Sequence, residues 1–101
     1  MTNYVLGVDA DLDLDEIWEY IASDSIDAAD RWIDQLFAAF EALGRAPGMG
    51  HKREDLTSHP VRFWPVGSYL IIYRSEPHPV AIVAITQGSR DIPAFLRRRL
   101  L

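Results

Sequence analysis

The chain has 101 residues, of which 49% are hydrophobic and 25% are charged. This length suits one domain spanning residues 1–101 and leaves no room for a second hydrophobic core. Cysteine is absent, which excludes a disulfide scaffold, a thiolate metal site and a cysteine nucleophile. Apolar runs such as Tyr69–Tyr73 are too short to cross a bilayer, and no signal peptide opens the chain, so we expect a soluble cytoplasmic protein.

The net charge of −5 conceals two parts of opposite sign. Residues 1–44 carry eleven acidic residues and one basic residue, whereas residues 45–101 carry nine basic and four acidic residues. Such a separation suits a protein that presents a charged face to a partner. The simpler interpretation of the acidic helices alone is that their charge keeps the domain soluble.

The first half of the sequence predicts a short strand followed by two helices. Residues 3–8 have the β-branched and aromatic content of a strand. Asp13 and Glu16 form a capping-box pattern, which predicts that the first helix begins at Asp13. The apolar stripe of this helix consists of Leu14, Ile17, Trp18 and Ile21. Asp27 is the predicted cap of a second helix, which ends at Pro47–Gly50 and whose wider stripe consists of Ala29, Trp32, Ile33, Leu36, Phe37, Phe40 and Leu43.

After residue 50 the hydrophobic period changes to two, which indicates strands. The predicted strands are Pro60–Trp64, Tyr69–Arg74 and Val80–Gln87, and their short connections predict an antiparallel meander with the middle strand at its centre. Ile92, Phe95, Leu96 and Leu100 form the stripe of a short final helix, with Arg97 and Arg98 facing outward. The order βααβββ(α) predicts an α+β two-layer fold in which a helical hairpin packs on an antiparallel sheet.

Several segments of this sequence resemble ParE toxins of the RelE/ParE superfamily. Ala28–Leu36 resembles the second helix of that family, and Ala46–Gly50 resembles the small-residue stop after its hairpin. Arg62–Arg74 matches the family's second and third strands almost position by position. Gly88–Pro93 matches its closing Gly-x-Arg-Asp motif, so the resemblance covers essentially the whole chain.

The resemblance implies the toxin of a bacterial type II toxin–antitoxin system, with a cognate ParD-like antitoxin as partner. ParE-type members are similar in inhibiting DNA gyrase by binding, without a cofactor. RelE-type members of the same fold instead cleave mRNA on the ribosome, so a RelE-like endoribonuclease is the alternative. A third interpretation is a degenerate, non-toxic member retained for binding an antitoxin. The fold does not decide between these functions.

The candidate site residues favour binding over catalysis. RNA cleavage needs acid–base groups that titrate near neutrality beside cations that bind the phosphate. Where the ParE pattern commonly has histidine before the closing glycine, this chain has Gln87, which cannot transfer a proton. Residues 90–101 contain no tyrosine, and Lys52 is the only lysine. We therefore expect no catalytic residues, and the candidates for contacting the target or the antitoxin are Arg62, Trp64, Tyr69, Tyr73, Arg74, Gln87 and Arg90.

The antitoxin is expected to cover an open face of the sheet that contains Phe63, Tyr69, Ile71 and Tyr73, with Trp64 nearby. The alternative is that the chain covers this face itself with Ile92, Phe95 and Leu96.

Other polar residues have simpler interpretations. Arg62 and Arg74 could pair with acids such as Glu54 and Glu76, and Arg90-Asp91 could cap the final helix. Residues 97–99 are three consecutive arginines, and we interpret them as a solvated chain end and expect no specific nucleic-acid binding. The three histidines lie in predicted loops without ligand spacing, so we expect no metal site.

Overall fold

The computed structural model describes residues 3–100, and its elements follow the predicted order. They are β1 (Tyr4–Leu6), α1 (Val8–Ala22), α2 (Ile26–Arg45), β2 (Arg62–Val66), β3 (Tyr69–Arg74), β4 (Val80–Gln87) and α3 (Ile92–Arg99). The strands form one sheet in the order β1-β4-β3-β2. The antiparallel meander of β2, β3 and β4 is confirmed, with β3 between the other two. The sheet as a whole is mixed, because β1 pairs with β4 in parallel. Within residues 3–100, no helix has the length and apolarity needed to cross a membrane.

The helical hairpin forms as predicted, but both predicted caps are wrong. The first helix begins at Val8, with Gly7 as an N-cap that supplies no side-chain hydrogen bond. Asp13 therefore lies inside α1 and not at its start. In the second helix Ser25 is the N-cap, and its hydroxyl accepts a hydrogen bond from the Ala28 amide. The preceding turn supplied a better-placed oxygen than Asp27, which falls in the first turn of the helix.

The main core lies between the helical hairpin and one face of the sheet. It includes Leu36, Phe40 and Leu43 of α2 together with Ile71 and Tyr73 of β3, all fully buried. Because side chains alternate along a strand, Tyr69, Ile71 and Tyr73 all point to this helix side. Trp64 packs against the same core from β2.

The second face of the sheet is covered by α3. Ile92, Phe95 and Leu96 are buried against Phe63 and Ile72 in a separate apolar cluster. The predicted open sheet face is therefore wrong. Tyr69, Ile71, Tyr73 and Trp64 face the helical hairpin, Phe63 lies under α3, and the C-terminal segment provides the cover.

The turn between β2 and β3 consists only of Gly67 and Ser68, because β2 runs to Val66, two residues beyond the predicted strand end at Trp64. Gly67 has a φ of 58°, in the left-handed region that a residue with a side chain adopts at a cost. A Cβ at this position would also collide with the indole of Trp32. The sequence places glycine here because both the backbone conformation and the available space require it.

Candidate functional site

A groove of about 420 Å³ lies between α1, the end of β4 and α3. We call it the α1–α3 groove. Glu16 and Tyr20 line it from α1, Gln87 ends β4 within it, and Arg90 lines it from the loop before α3. A cavity in which polar and aromatic groups from three elements converge is the default candidate for a binding site.

Asp13 and Arg99 form an ion pair at the floor of the groove. The Arg99 guanidinium donates to both carboxylate oxygens of Asp13, at 3.0 and 2.8 Å. The two side chains are only 12% and 18% exposed, so water screens the pair weakly. The hydrogen bond to Asp13 raises the pKa of the Arg99 guanidinium, while burial opposes this change. Arg99 is therefore a structural cation whose charge is already matched.

The Asp13–Arg99 pair also completes the outer edge of β4. β1 is short and pairs with β4 only from Val80 to Ile82. Beyond this point the Ile85 amide donates to Asp13 at 3.0 Å, and the Val83 carbonyl accepts from Arg99 at 3.2 Å. The pair thus makes hydrogen bonds to backbone groups of β4 that an adjoining strand would otherwise make. It also connects α1, β4 and α3.

Two guanidinium groups lie over the ring of Phe95. The central carbon of Arg90 is 5.0 Å from the ring centroid, and that of Arg99 is 4.9 Å away. Both distances are within the range of a cation–π contact. Asp91 caps α3 by accepting from the Ala94 amide, which fixes the start of the helix beside Arg90.

Three of the seven predicted site residues meet in the α1–α3 groove. Tyr69 of β3 lies opposite Gln87 of β4 in the sheet register, and both line the groove with Arg90. Tyr69 is largely buried and packs edge-on against Trp32 at 5.3 Å between ring centroids. Burial raises the pKa of the Tyr69 phenol, and the nearby Tyr20 raises it further. Tyr69 is thus a neutral wall of the groove, whereas Gln87 and Arg90 are its exposed polar groups.

The other end of β3 holds a different group of predicted residues. Tyr73 lies about 13 Å along the strand from Tyr69, opposite Arg62, and Arg74 follows it. The Arg62 guanidinium donates to the Gly50 carbonyl at 2.9 Å and to the Ser75 hydroxyl at 3.3 Å. Arg62 therefore supports the loop before β2, and neither it nor Arg74 belongs to an ion pair within residues 3–100.

Tyr73 is fully buried and holds the same loop. Its hydroxyl donates to the Pro47 carbonyl at 2.7 Å and accepts from the Gly50 amide at 2.8 Å. Burial raises the pKa of the Tyr73 phenol, partly offset by the Gly50 amide and by Arg62. Tyr73 has no exposed surface for a partner, and with Arg62 it stabilises the fold at a distance from the groove.

Sequence reasoning missed the parts of the groove that come from α1 and α3. The sequence pattern predicts Asp13 as a cap and residues 97–99 as a solvated end, whereas Asp13 and Arg99 pair in the groove. A signal was nevertheless present, since Asp13 falls between the buried residues Ala10, Leu14 and Ile17 once the helix begins at Val8. A carboxylate on the apolar side of a helix requires a partner, and the arginines near the chain end supply one.

Comparison with known proteins decides the family. The family model described as the ParE toxin of the type II toxin–antitoxin system parDE matches residues 4–92. The chain belongs to the ParE toxin family. A chain from the chromosomal ParDE toxin–antitoxin system of P. aeruginosa has the same fold, with a TM-score of 0.71 and 18% sequence identity. That match covers 86% of this chain and 96% of the other. No curated protein matches this chain significantly.

This ParE toxin has no imidazole in the α1–α3 groove. The position before the closing glycine, where the family pattern commonly has histidine, is Gln87. His51 pairs with Phe63 at the outer edge of β2, and His59 and His78 lie in other loops. In the part of the chain that the structure describes, no group of acidic or histidine side chains could hold a metal ion. Besides the Asp13–Arg99 pair, the groove thus presents the Arg90 guanidinium, the Gln87 amide, two phenols and the Glu16 carboxylate.

Proposed function

We propose that this toxin inhibits DNA gyrase by binding to it, and that it catalyses no reaction. The observation that carries the proposal is the α1–α3 groove, in which Arg90 stands beside Gln87 at the position where the family pattern commonly has histidine. An exposed arginine above an aromatic ring, at the rim of a partly apolar groove, is typical of a protein-binding contact. This function places the chain in the cytoplasm, where gyrase acts.

The chemistry of the groove supports binding over RNA cleavage. Arginine remains protonated at neutral pH and is a poor general base. The amide of Gln87 exchanges no proton in this range. Tyr69 keeps its phenolic proton well above neutral pH, because its burial raises its pKa. The Asp13 carboxylate is occupied by Arg99 and by the Ile85 amide.

A supercoiling assay tests the proposal directly. Relaxed plasmid, purified gyrase and ATP are incubated with increasing amounts of the toxin, and the loss of supercoiled product gives an inhibition constant. Arg90→Ala should weaken inhibition about tenfold, as expected for an arginine that is a hot spot of its interface. Arg53→Ala is the matched control, since Arg53 is an exposed arginine paired with Asp55 outside the groove. Supercoiling that continues unchanged at high toxin concentration would refute the proposal.

The antitoxin surface that the structure favours is the outside of the helical hairpin. Because α3 covers the second sheet face, the exposed large apolar side chains are elsewhere. Val8 and Leu12, one turn apart on α1, are 80% and 53% exposed. They lie within the acidic part of the chain, among residues 1–44. A ParD-like antitoxin with a basic amphipathic tail would bury these side chains and match this charge.

The hairpin site is tested by restoring gyrase activity with antitoxin. The antitoxin is expected from a short neighbouring reading frame with a ribbon-helix-helix start and an amphipathic tail. Adding it in equal amounts should restore supercoiling. Leu12→Asp should weaken this rescue about tenfold or more, because it places a charge within a buried apolar contact, while inhibition of gyrase by the toxin alone persists. If neither Leu12→Asp nor Val8→Asp changes the restoration of supercoiling, the antitoxin binds elsewhere.

The RelE-like endoribonuclease remains the second candidate because of one observation. The phenols of Tyr20 and Tyr69 line the same groove as Arg90, and Glu16 lines it as well. Transcript cleavage on purified ribosomes is the test, with Tyr20→Phe as the diagnostic variant. Cleavage that depends on Tyr20, together with unhindered gyrase, would favour this function. Inactivity in both assays, with antitoxin binding retained, would indicate the degenerate, non-toxic member.

A further inference from the structure

We infer that Asp13, Phe95 and Arg99 are positioning residues that hold the Arg90 guanidinium in place at the rim of the α1–α3 groove. This inference rests on the proposed function, because it makes the affinity for gyrase depend on three residues that need not touch it. Besides completing the edge of β4, the Asp13–Arg99 pair would then also orient Arg90.

Arg90 depends on Phe95 for its orientation. Its backbone amide donates to the Gln87 carbonyl at 3.1 Å, which fixes the loop but not the long side chain. The two ion pairs found in residues 3–100 do not include Arg90. The contact that the structure shows for its guanidinium is the Phe95 ring, 5.0 Å away. A flexible exposed arginine held over a ring loses less conformational entropy when it binds a partner.

Phe95 is in turn held by the apolar cluster around it and by the side chain of Arg99. It is buried in the cluster that α3 forms with the sheet, beside Ile92 and Leu96. The Arg99 guanidinium also lies over its ring, at 4.9 Å. Arg99 is one helical turn after Phe95, so the two side chains lie on the same face of α3.

Asp13 sets the position of Arg99. Its two oxygens accept hydrogen bonds from the two terminal nitrogens of the guanidinium. One of these oxygens also accepts a hydrogen bond from the Ile85 amide. Such a two-point contact fixes the plane of the guanidinium as well as its location. The contacts therefore run without a gap from Asp13 through Arg99 and Phe95 to Arg90. They connect the acidic hairpin to the basic C-terminal segment.

The first test is a double-mutant cycle on gyrase inhibition. Asp13→Asn preserves the shape and an acceptor for the Ile85 amide but removes the charge that holds Arg99. We expect it to weaken inhibition about fivefold, the loss expected when one cation–π contact is no longer held in place. In an Arg90→Ala background it should cause no further loss, because it acts through Arg90. Asp11→Asn, an exposed acid on the same helix outside the groove, is the control and should leave inhibition unchanged. All variants are assayed well below their melting temperatures.

The second test reads the position of Arg90 without gyrase. In proton NMR, the δ-methylene signals of Arg90 should be shifted upfield by the Phe95 ring, relative to those of the exposed Arg97. Phe95→Leu should abolish the shift, and Asp13→Asn should reduce it. A wild-type chain that fails to inhibit gyrase refutes the proposed function while this measurement still decides the positioning. An unchanged Arg90 shift in Asp13→Asn, or equal losses of inhibition in both backgrounds of the cycle, would overturn the inference.

Discussion

Replacing Tyr73 with phenylalanine removes a hydroxyl that makes two hydrogen bonds at the base of the loop before β2. The hydroxyl donates to the Pro47 carbonyl at 2.7 Å and accepts from the Gly50 amide at 2.8 Å. The ring itself is fully buried, so phenylalanine can occupy the same space without creating a cavity. The variant therefore isolates the hydrogen bonds from the packing.

The expected loss of stability comes mainly from the Gly50 amide. This donor is buried, and leaving it without a partner costs about 1–3 kcal/mol. The Pro47 carbonyl is only partly buried, so water can replace most of its bond, at a cost of about 0.5 kcal/mol. Together these changes lower the free energy of unfolding by about 2 kcal/mol. For a domain of this size, that corresponds to a melting temperature about 10 °C lower.

Urea unfolding and thermal melts measure this loss, with Tyr20→Phe as the matched control. Tyr20 is 70% exposed, so removing its hydroxyl should change the unfolding free energy by less than about 0.5 kcal/mol. Gyrase inhibition by folded Tyr73→Phe should equal that of the wild type, because Tyr73 has no surface for a partner. A stability loss below about 0.5 kcal/mol would refute the assigned hydrogen bonds. Weaker inhibition by a fully folded variant would instead show that Tyr73 contributes to binding the target.

Glycine substitutions and alkaline pH provide further tests of the same packing. Gly50→Ala should be more destabilising than Gly48→Ala in thermal melts, because a Cβ at Gly50 would lie 2.9 Å from a backbone oxygen and one at Gly48 meets no atom within 4 Å. Gly67→Ala should lower the unfolding free energy by about 1 kcal/mol or more, through its positive φ and the Trp32 ring, whereas Gly88→Ala should cost less by the same measurement. Burial raises the pKa of three tyrosine phenols, so folding favours the protonated form of each phenol. This contribution to stability is complete below about pH 10 and is lost as the pH rises through the folded-state pKa values. Urea midpoints measured from pH 8 to 12 should therefore fall above about pH 10, and the three residues concerned are Tyr4, Tyr69 and Tyr73.

The order of elements was predictable because each has a strong local signal. The stripe of α2, the alternation of β3 and the glycine–proline stops give the helices and strands without tertiary information. Capping was less predictable, because the pattern of an aspartate followed three residues later by a glutamate occurs inside helices as well as at their start. Asp13 meets the capping pattern but serves as the largely buried ion-pair partner of Arg99, 86 residues away. The parallel pairing of β1 with β4 is likewise a long-range contact that no local pattern encodes.

The candidate site was only partly predictable, for a geometric reason. The strand pattern correctly placed Tyr69, Ile71 and Tyr73 on one face, but it does not say which face the helices cover. The prediction assigns the helical hairpin to the wrong face of the sheet, and it therefore treats aromatic residues of the core as a binding surface. Gln87 and Arg90 were found because they belong to a sequence motif. For the α1 wall of the groove, the sequence indicates only that Asp13 needs a partner, and the packing of α1 beside β4 shows where that partner lies.

The cover that α3 provides determines where a partner can bind at least cost. Ile92, Phe95 and Leu96 are all buried on the sheet, and each contributes about 1.5–3 kcal/mol. A partner that displaced α3 would first have to replace about 5–9 kcal/mol, which is comparable with the total stability of a small domain. A partner on the hairpin bears no such cost, because Val8 and Leu12 are already exposed and their burial is a net gain. By the same comparison, the antitoxin surface proposed on the acidic hairpin and the target surface proposed at the α1–α3 groove can both be reached without displacing α3.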